Sequence, residues 1–258
     1  MPLKHAARNG NLEVFNLIME KFVNKSDIII NSNKSWTILH YAAEGGNLEI
    51  FQTFLKYTTL KNPMDFNGNP MDFNGVTPLH VTAQNGHDSV HRFIMIHVGD
   101  NKNPEILPTS VTPIHLAARE GHLNICLTIM EHIEYKNLRF IYGQTPLHEA
   151  ALNGHLDICQ LILEQSDETN PVNDQGFTPL LYAYKESHQE VCELIIGKLR
   201  ETNPEVYSNN PNRTLQKELM EAIGRVRDHP FKTSANFTQF LPLPSSCSCL
   251  QFFTNIRG

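Results

Sequence analysis

The chain has 258 residues, 40% of them apolar, and its 27 carboxylates against 21 lysines and arginines leave a net charge of −6. That balance offers no basic footprint for nucleic acid or anionic lipid, and no apolar run approaches the roughly 20 residues that cross a bilayer. Met1-Pro2-Leu3-Lys4-His5 does not start a secretory signal and the five cysteines fit a reducing compartment, so the expectation is a monomer without direct membrane insertion, in the cytoplasm or the nucleus.

In chain order, Met1-Pro2-Leu3-Lys4-His5-Ala6-Ala7-Arg8-Asn9-Gly10 is the first version of a block that returns five times. It has lysine where later copies have histidine, and it lacks a preceding cap. The expectation over 1–30 is a truncated repeat, from a chain cut short or from a domain that once continued N-terminally. Later copies start at Thr37, Thr77, Thr112, Thr145 and Thr178, which lie 40, 35, 33 and 33 residues apart and predict five repeats over 31–203. Thr-Pro-Leu-His is intact at Thr77-Pro78-Leu79-His80 and Thr145-Pro146-Leu147-His148. It carries one change at Thr37-Ile38-Leu39-His40, Thr112-Pro113-Ile114-His115 and Thr178-Pro179-Leu180-Leu181.

The first interval is long because Asn62-Pro63-Met64-Asp65-Phe66-Asn67-Gly68 is copied as Asn69-Pro70-Met71-Asp72-Phe73-Asn74-Gly75, and removing these seven residues turns 40 into 33. The copy is either a duplication inside a turn, where added length costs little, or an error in the gene model. Beyond Asn203 the pattern fades. Leu215 to Val226 predicts an amphipathic helix within 204–229 that closes the array, and 230–258, with Pro242, Pro244 and Ser245-Ser246-Cys247-Ser248-Cys249, predicts a disordered tail.

Within each block the threonine hydroxyl can cap a helix whose first turn tolerates proline. Paired small residues such as Ala117-Ala118 let a neighbouring helix approach, and Gly46, Gly86, Gly121 and Gly154 fall where that helix must stop. A second apolar run follows, as in Leu156-Asp157-Ile158-Cys159-Gln160-Leu161-Ile162-Leu163, so each block predicts a helical hairpin and a connecting turn.

These blocks resemble ankyrin repeats, whose signature is Thr-Pro-Leu-His-x-Ala at this period. The resemblance implies an all-α, ankyrin-repeat solenoid of stacked helix-turn-helix units with protruding turns. It implies that the tetrapeptide histidines brace neighbouring turns through hydrogen bonds. It also implies a non-catalytic scaffold or adaptor that recognises a partner protein through the concave face. The alternative is a cytosolic ankyrin-repeat fragment of a larger channel or multidomain enzyme.

Reactive side chains give no competing signal. Cys126, Cys159 and Cys192 recur every 33 residues and form a column of small core residues rather than disulfides. Eight of the 13 histidines belong to two repeated positions. His87 and His91 have the spacing of a zinc pair on a helix but no third ligand, and no nucleophile turn, phosphate loop or dinucleotide fingerprint is present. The expectation is no enzyme activity, no metal and no cofactor.

Recognition then falls to positions that the repeat leaves free on the turns and first helices. These are Trp36, Tyr41 and Glu44; Phe73, Asn74, Val76, Gln84 and Asn85; Val111, Arg119 and Glu120; Ile141, Tyr142, Gln144, Glu149 and Asn153; and Gln175, Phe177, Tyr182 and Lys185. Trp36, Tyr41, Phe73, Tyr142, Phe177 and Tyr182 are the aromatic anchors expected of a hot spot. The resemblance further implies that asparagines eight residues before the threonine, here Asn69, Asn137 and Asn170, are hydroxylated by a 2-oxoglutarate-dependent dioxygenase, unless they only tighten the turn.

Overall fold

The computed structural model describes residues 2–21, 36–56, 76–97, 102–106, 109–133, 138–207 and 211–228, so the duplicated heptapeptide and the 230–258 tail lie outside the described residues. The chain divides into two units, Met1–Glu134 and Tyr135–Gly258. Thirteen α-helices are found among the described residues and no extended strand, only the isolated bridges Ile106 to Val111 and Phe140 to Gln144.

Met1–Glu134 contains four hairpins: α1 (Pro2–Arg8) with α2 (Leu12–Lys21), α3 (Ile38–Glu44) with α4 (Leu48–Leu55), α5 (Pro78–Asn85) with α6 (Asp88–His97), and α7 (Pro113–Glu120) with α8 (Leu123–Met130). First helices pack side by side in the order α1, α3, α5, α7, and second helices in the order α2, α4, α6, α8. Tyr135–Gly258 contains α9 (Pro146–Leu152) with α10 (Leu156–Gln165), α11 (Pro179–Lys185) with α12 (Gln189–Thr202), and α13 (Pro211–Asp228), which packs on α11 and α12.

The first helices are only seven or eight residues long, too short to hold themselves in water. Caps and neighbours stabilise them instead. Thr37, Thr77, Thr112 and Thr145 each close a reciprocal capping box with the histidine three residues later. Thr178 has leucine at that place, and its hydroxyl accepts from the Leu181 N–H at 3.2 Å, so that cap forms without a histidine. The alanines facing the adjacent first helix are fully buried, among them Ala42, Ala43, Ala117, Ala118, Ala150 and Ala151.

Glycine ends these helices for two reasons at Gly86 and Gly154, where φ is +76° and +75°. The left-handed backbone suits glycine, and a Cβ there would lie 2.5 Å from the ring of His122 or His188 respectively. The next hairpin's histidine therefore lies directly over the helix end. His122 Nε2 donates to the Gln84 carbonyl at 3.3 Å and His188 Nε2 to the Leu152 carbonyl at 3.1 Å, tying each hairpin to the one before it.

Within each unit the core between the two rows is mainly aliphatic, with Phe15 and Phe51 also fully buried in Met1–Glu134. Ile50, Ile94, Ile114, Ile129, Leu147 and Ile195 are at most 1% exposed, and burying each such side chain contributes about 1.5–3 kcal/mol. Cys126, Cys159 and Cys192 lie in this core. Burial raises the Cys126 and Cys159 thiols to about 12, which leaves them without thiolate character at neutral pH.

One polar pair interrupts the apolar pattern. Thr82 and His91 stand where other repeats have alanine and either phenylalanine or cysteine, and both are 0% exposed. The Thr82 hydroxyl lies 3.0 Å from the Leu79 carbonyl and 2.8 Å from His91 Nδ1. With its own proton on the carbonyl, that hydroxyl accepts from Nδ1–H, and Nε2 is left buried without a hydrogen bond. A bare lone pair is the less costly orphan, which fixes this tautomer.

Candidate functional site

The tetrapeptide histidines are structural, and their tautomer can be derived. His80 Nδ1 accepts from the Thr77 backbone N–H at 3.1 Å and His148 Nδ1 from the Thr145 N–H at 3.1 Å, so the ring proton sits on Nε2. Nε2 then donates across to the following turn: His40 to the Val76 carbonyl at 3.1 Å, His80 to Val111 at 3.3 Å and His148 to Phe177 at 3.3 Å. Burial pushes all three imidazoles down to about 4, and the carbonyl acceptors offset this only in part. The other repeated histidine is equally engaged, with His87 Nε2 donating to the Glu44 carbonyl at 2.9 Å. His87 and His91 thus reach different partners and do not converge, and no cluster of three metal-ligating side chains occurs among the described residues.

The expected recognition residues divide by exposure. In Met1–Glu134, Gln84, Asn85 and Glu120 are exposed, with Asn85 Nδ2 held on the Val81 carbonyl at 2.8 Å. Val76, Val111 and Arg119 are half-buried, and the carbonyls of Val76 and Val111 receive the bracing histidines. Glu44 is half-buried and forms a two-point ion pair with Arg8, one contact being Nε to Oε2 at 2.7 Å. Trp36 stacks on His40 at 5.6 Å and meets the Tyr41 edge at 5.5 Å. Phe73, Asn74, Asn69 and Asn137 lie outside the described residues, as does the Ile141 side chain.

Two of the expected contacts must be corrected. Tyr41 is 8% exposed, packed by Trp36 and with the Lys4 ammonium 6.0 Å from its ring centre. Glu149 is 3% exposed. Both follow the tetrapeptide histidine directly, where Val81 and Leu116 are likewise buried at 3% and 9%. In these four repeats that position faces into the stack and offers a partner almost no surface, whereas at the same place His5 is exposed and Tyr182 half-buried.

In Tyr135–Gly258 the turns and first helices make a polar and aromatic cluster. Phe177 stacks on Tyr182 at 5.4 Å and 13°, and Tyr182 meets His148 edge-on at 6.0 Å. The Tyr182 hydroxyl lies 3.3 Å from both Gln144 Nε2 and Asn173 Nδ2, and burial raises its pKa. Gln175 and Asn153 are exposed, Asn153 Nδ2 donating to the Glu149 carbonyl at 2.9 Å, and Lys185 is half-buried with Glu186 at 3.6 Å.

Tyr142 differs from every other aromatic in the set. It is 57% exposed and sits at φ +65°, a left-handed conformation that costs a bulky residue about 1–2 kcal/mol. A tight turn holds it there: Phe140 N–H donates to the Gln144 carbonyl and Gly143 N–H to the Phe140 carbonyl, both at 2.9 Å. The Asp174 N–H binds the Tyr142 carbonyl at 2.9 Å, joining this turn to the next, and Arg139 donates to the Val172 carbonyl at 2.9 Å while pairing with Glu168 at 3.1 Å.

A model described as "Ankyrin repeats (3 copies)" matches residues 3–106, 59–140 and 114–208. The chain belongs to the ankyrin-repeat family. No curated protein matches it. Ankyrin repeats generally mediate protein–protein interaction and are typically non-catalytic, and no described helix is long and apolar enough to cross a membrane.

Asn170 is the one expected hydroxylation position among the described residues. Its Oδ1 accepts from the Leu180 N–H at 3.1 Å and its Nδ2 donates to Glu218 of α13 at 2.7 Å. Asn103 lies one residue out of that register and does the same work, accepting from the Ile114 N–H at 3.2 Å. Each satisfies an orphan amide at an ankyrin helix start. Sequence reasoning missed an open groove of about 480 Å³ beside this residue, lined by Asp167, Asn203, Tyr207, Glu218, Glu221 and Arg225. Glu218 is taken internally by Asn170 and by the Tyr207 hydroxyl at 2.6 Å.

Proposed function

We propose that this chain is a non-catalytic adaptor that binds another protein through its turns and first-helix surfaces, with Tyr142 as the principal anchor in Tyr135–Gly258. The observation that carries the reading is an aromatic ring 57% exposed on a turn fixed by main-chain hydrogen bonds, in a backbone conformation unfavourable for tyrosine. Strain of this kind persists where a function retains it, and a rigid exposed tyrosine contributes contact area with little entropy left to lose. In the same unit, Gln175, Asn153 and the half-buried Phe177, Tyr182 and Lys185 would supply polar and further apolar contact.

Trp36 contributes through packing that positions the Tyr41 and His40 rings, whereas Gln84, Asn85 and Glu120 supply exposed polar contacts in Met1–Glu134. The test is capture of the tagged chain from its own cells with cross-linking and mass spectrometry, comparing wild type with Tyr142→Ala. A partner cross-linked near Gln175 or Lys185 and lost in the variant supports the reading. The same captured proteins in both forms would overturn it.

A further inference from the structure

We propose that Asn9 is a site of spontaneous deamidation, where the folded chain converts asparagine into aspartate and isoaspartate, and that the fold holds the same dipeptide inert in two other hairpins. Asn9-Gly10, Asn85-Gly86 and Asn153-Gly154 occupy one position of the repeat, at or just past the end of the first helix, and all three asparagines are exposed. Glycine after asparagine favours the reaction, because a main chain without a Cβ lets its nitrogen approach the side-chain carbonyl closely. By sequence alone the three pairs are equivalent. Asn67-Gly68 and Asn74-Gly75, in the duplicated heptapeptide, lie outside the described residues.

Hydrogen bonds separate them. Asn85 Nδ2 donates to the Val81 carbonyl at 2.8 Å and Asn153 Nδ2 to the Glu149 carbonyl at 2.9 Å. The Gly86 N–H donates to the Thr82 carbonyl at 2.9 Å and the Gly154 N–H to the Ala151 carbonyl at 3.4 Å. In both pairs the group to be attacked and the nitrogen that attacks are engaged. At the end of α1 the Asn9 N–H donates to the His5 carbonyl at 2.9 Å and the Asn11 N–H to the Ala6 carbonyl at 3.0 Å. Neither the Gly10 N–H between them nor the Asn9 carboxamide is held by a described residue.

The reaction needs only water. Once a base removes the Gly10 amide proton, the nitrogen attacks Asn9 Cγ, the Cγ–Nδ2 bond breaks and ammonia leaves, which closes a cyclic succinimide. Water then opens the ring. Cleavage of the new N–Cγ bond gives aspartate, and cleavage of the bond to the Asn9 main-chain carbonyl carbon gives isoaspartate, whose chain runs through Cβ. Either product makes the net charge of −6 one unit more negative. The new carboxylate follows Arg8, which pairs with Glu44, and stands in the column of Glu120 and Glu186. An effect on recognition rests on the surface proposed above; the chemistry does not.

Peptide mapping by mass spectrometry tests this on the full chain aged in mildly alkaline buffer, with and without urea. In urea the three pairs should convert at similar rates, since only the shared dipeptide then matters. In the folded chain Asn9 should convert at close to its urea rate. Asn85 and Asn153 should slow by about tenfold or more, because local opening has to free the glycine amide before attack. Asn9 slowed by folding as much as Asn85 and Asn153, or either of those two converting as fast as Asn9 in the folded chain, would overturn the proposal.

Discussion

Mild acid should strongly destabilise Met1–Glu134, because three of its histidines are buried in the neutral form. In the unfolded chain an imidazole takes up its proton near 6.5, whereas burial holds His40 and His80 at about 4 and His91 at about 3. Between those values the unfolded state carries more protons, so the stability these groups contribute is complete above about 6.5 and is lost as the pH falls toward 4. At about pH 5 the loss is about 2 kcal/mol for each histidine and about 6 kcal/mol for the three. A domain of ordinary stability has about 5–15 kcal/mol in total, so about two-fifths of it or more is removed above the range where unperturbed carboxylates titrate.

The assay is urea unfolding at about pH 7.5 and about pH 5, with the denaturant slope as a control on the transition. The double variant Thr82→Ala with His91→Cys restores residues found at equivalent positions in other repeats. It should recover about 2 kcal/mol of the acid loss. Equal urea midpoints at the two pH values, or an acid loss unchanged in the double variant, would refute the account of these histidines as neutral hydrogen-bonding braces.

Gly86→Ala should lower stability at neutral pH by about 2 kcal/mol or more, because the added methyl meets both a left-handed backbone and the His122 ring; a shift in urea midpoint reads it. Cys126 and Cys159, with thiols raised to about 12, should resist alkylation in the folded protein at about pH 8 and react fully in urea, as peptide mapping will show. Labelling of either cysteine under native conditions at the rate of a free thiol would contradict their placement in the core.

The period of Thr37, Thr77, Thr112, Thr145 and Thr178 made the fold legible, because each part of the block has a local physical role that needs no distant partner. Threonine caps, proline starts the helix and glycine ends it. The bracing role of His40, His80 and His148 was also accessible through the family resemblance. The destination of a side chain on a first helix was less accessible, since it depends on what the adjacent repeat presents. Tyr41 and Glu149 read as free positions by composition, yet the stack buries both. The Thr82 and His91 pair is legible as a departure in two columns, threonine among alanines and histidine among phenylalanine and cysteine. Tyr142 is legible as an aromatic at a free turn position, but its left-handed backbone depends on hydrogen bonds from Phe140, Gly143 and Asp174 that no sequence period encodes.

The central claim, a protein-binding surface anchored by Tyr142, is tested most directly by comparing Tyr142→Gly with wild type for partner affinity and urea midpoint together. Glycine removes the ring and relieves the left-handed backbone, so stability should hold or rise by up to about 1 kcal/mol. Loss of a hot-spot side chain should meanwhile weaken binding by about 2 kcal/mol, roughly thirtyfold in Kd. Retained affinity with unchanged stability would contradict the assignment of this turn as the recognition site.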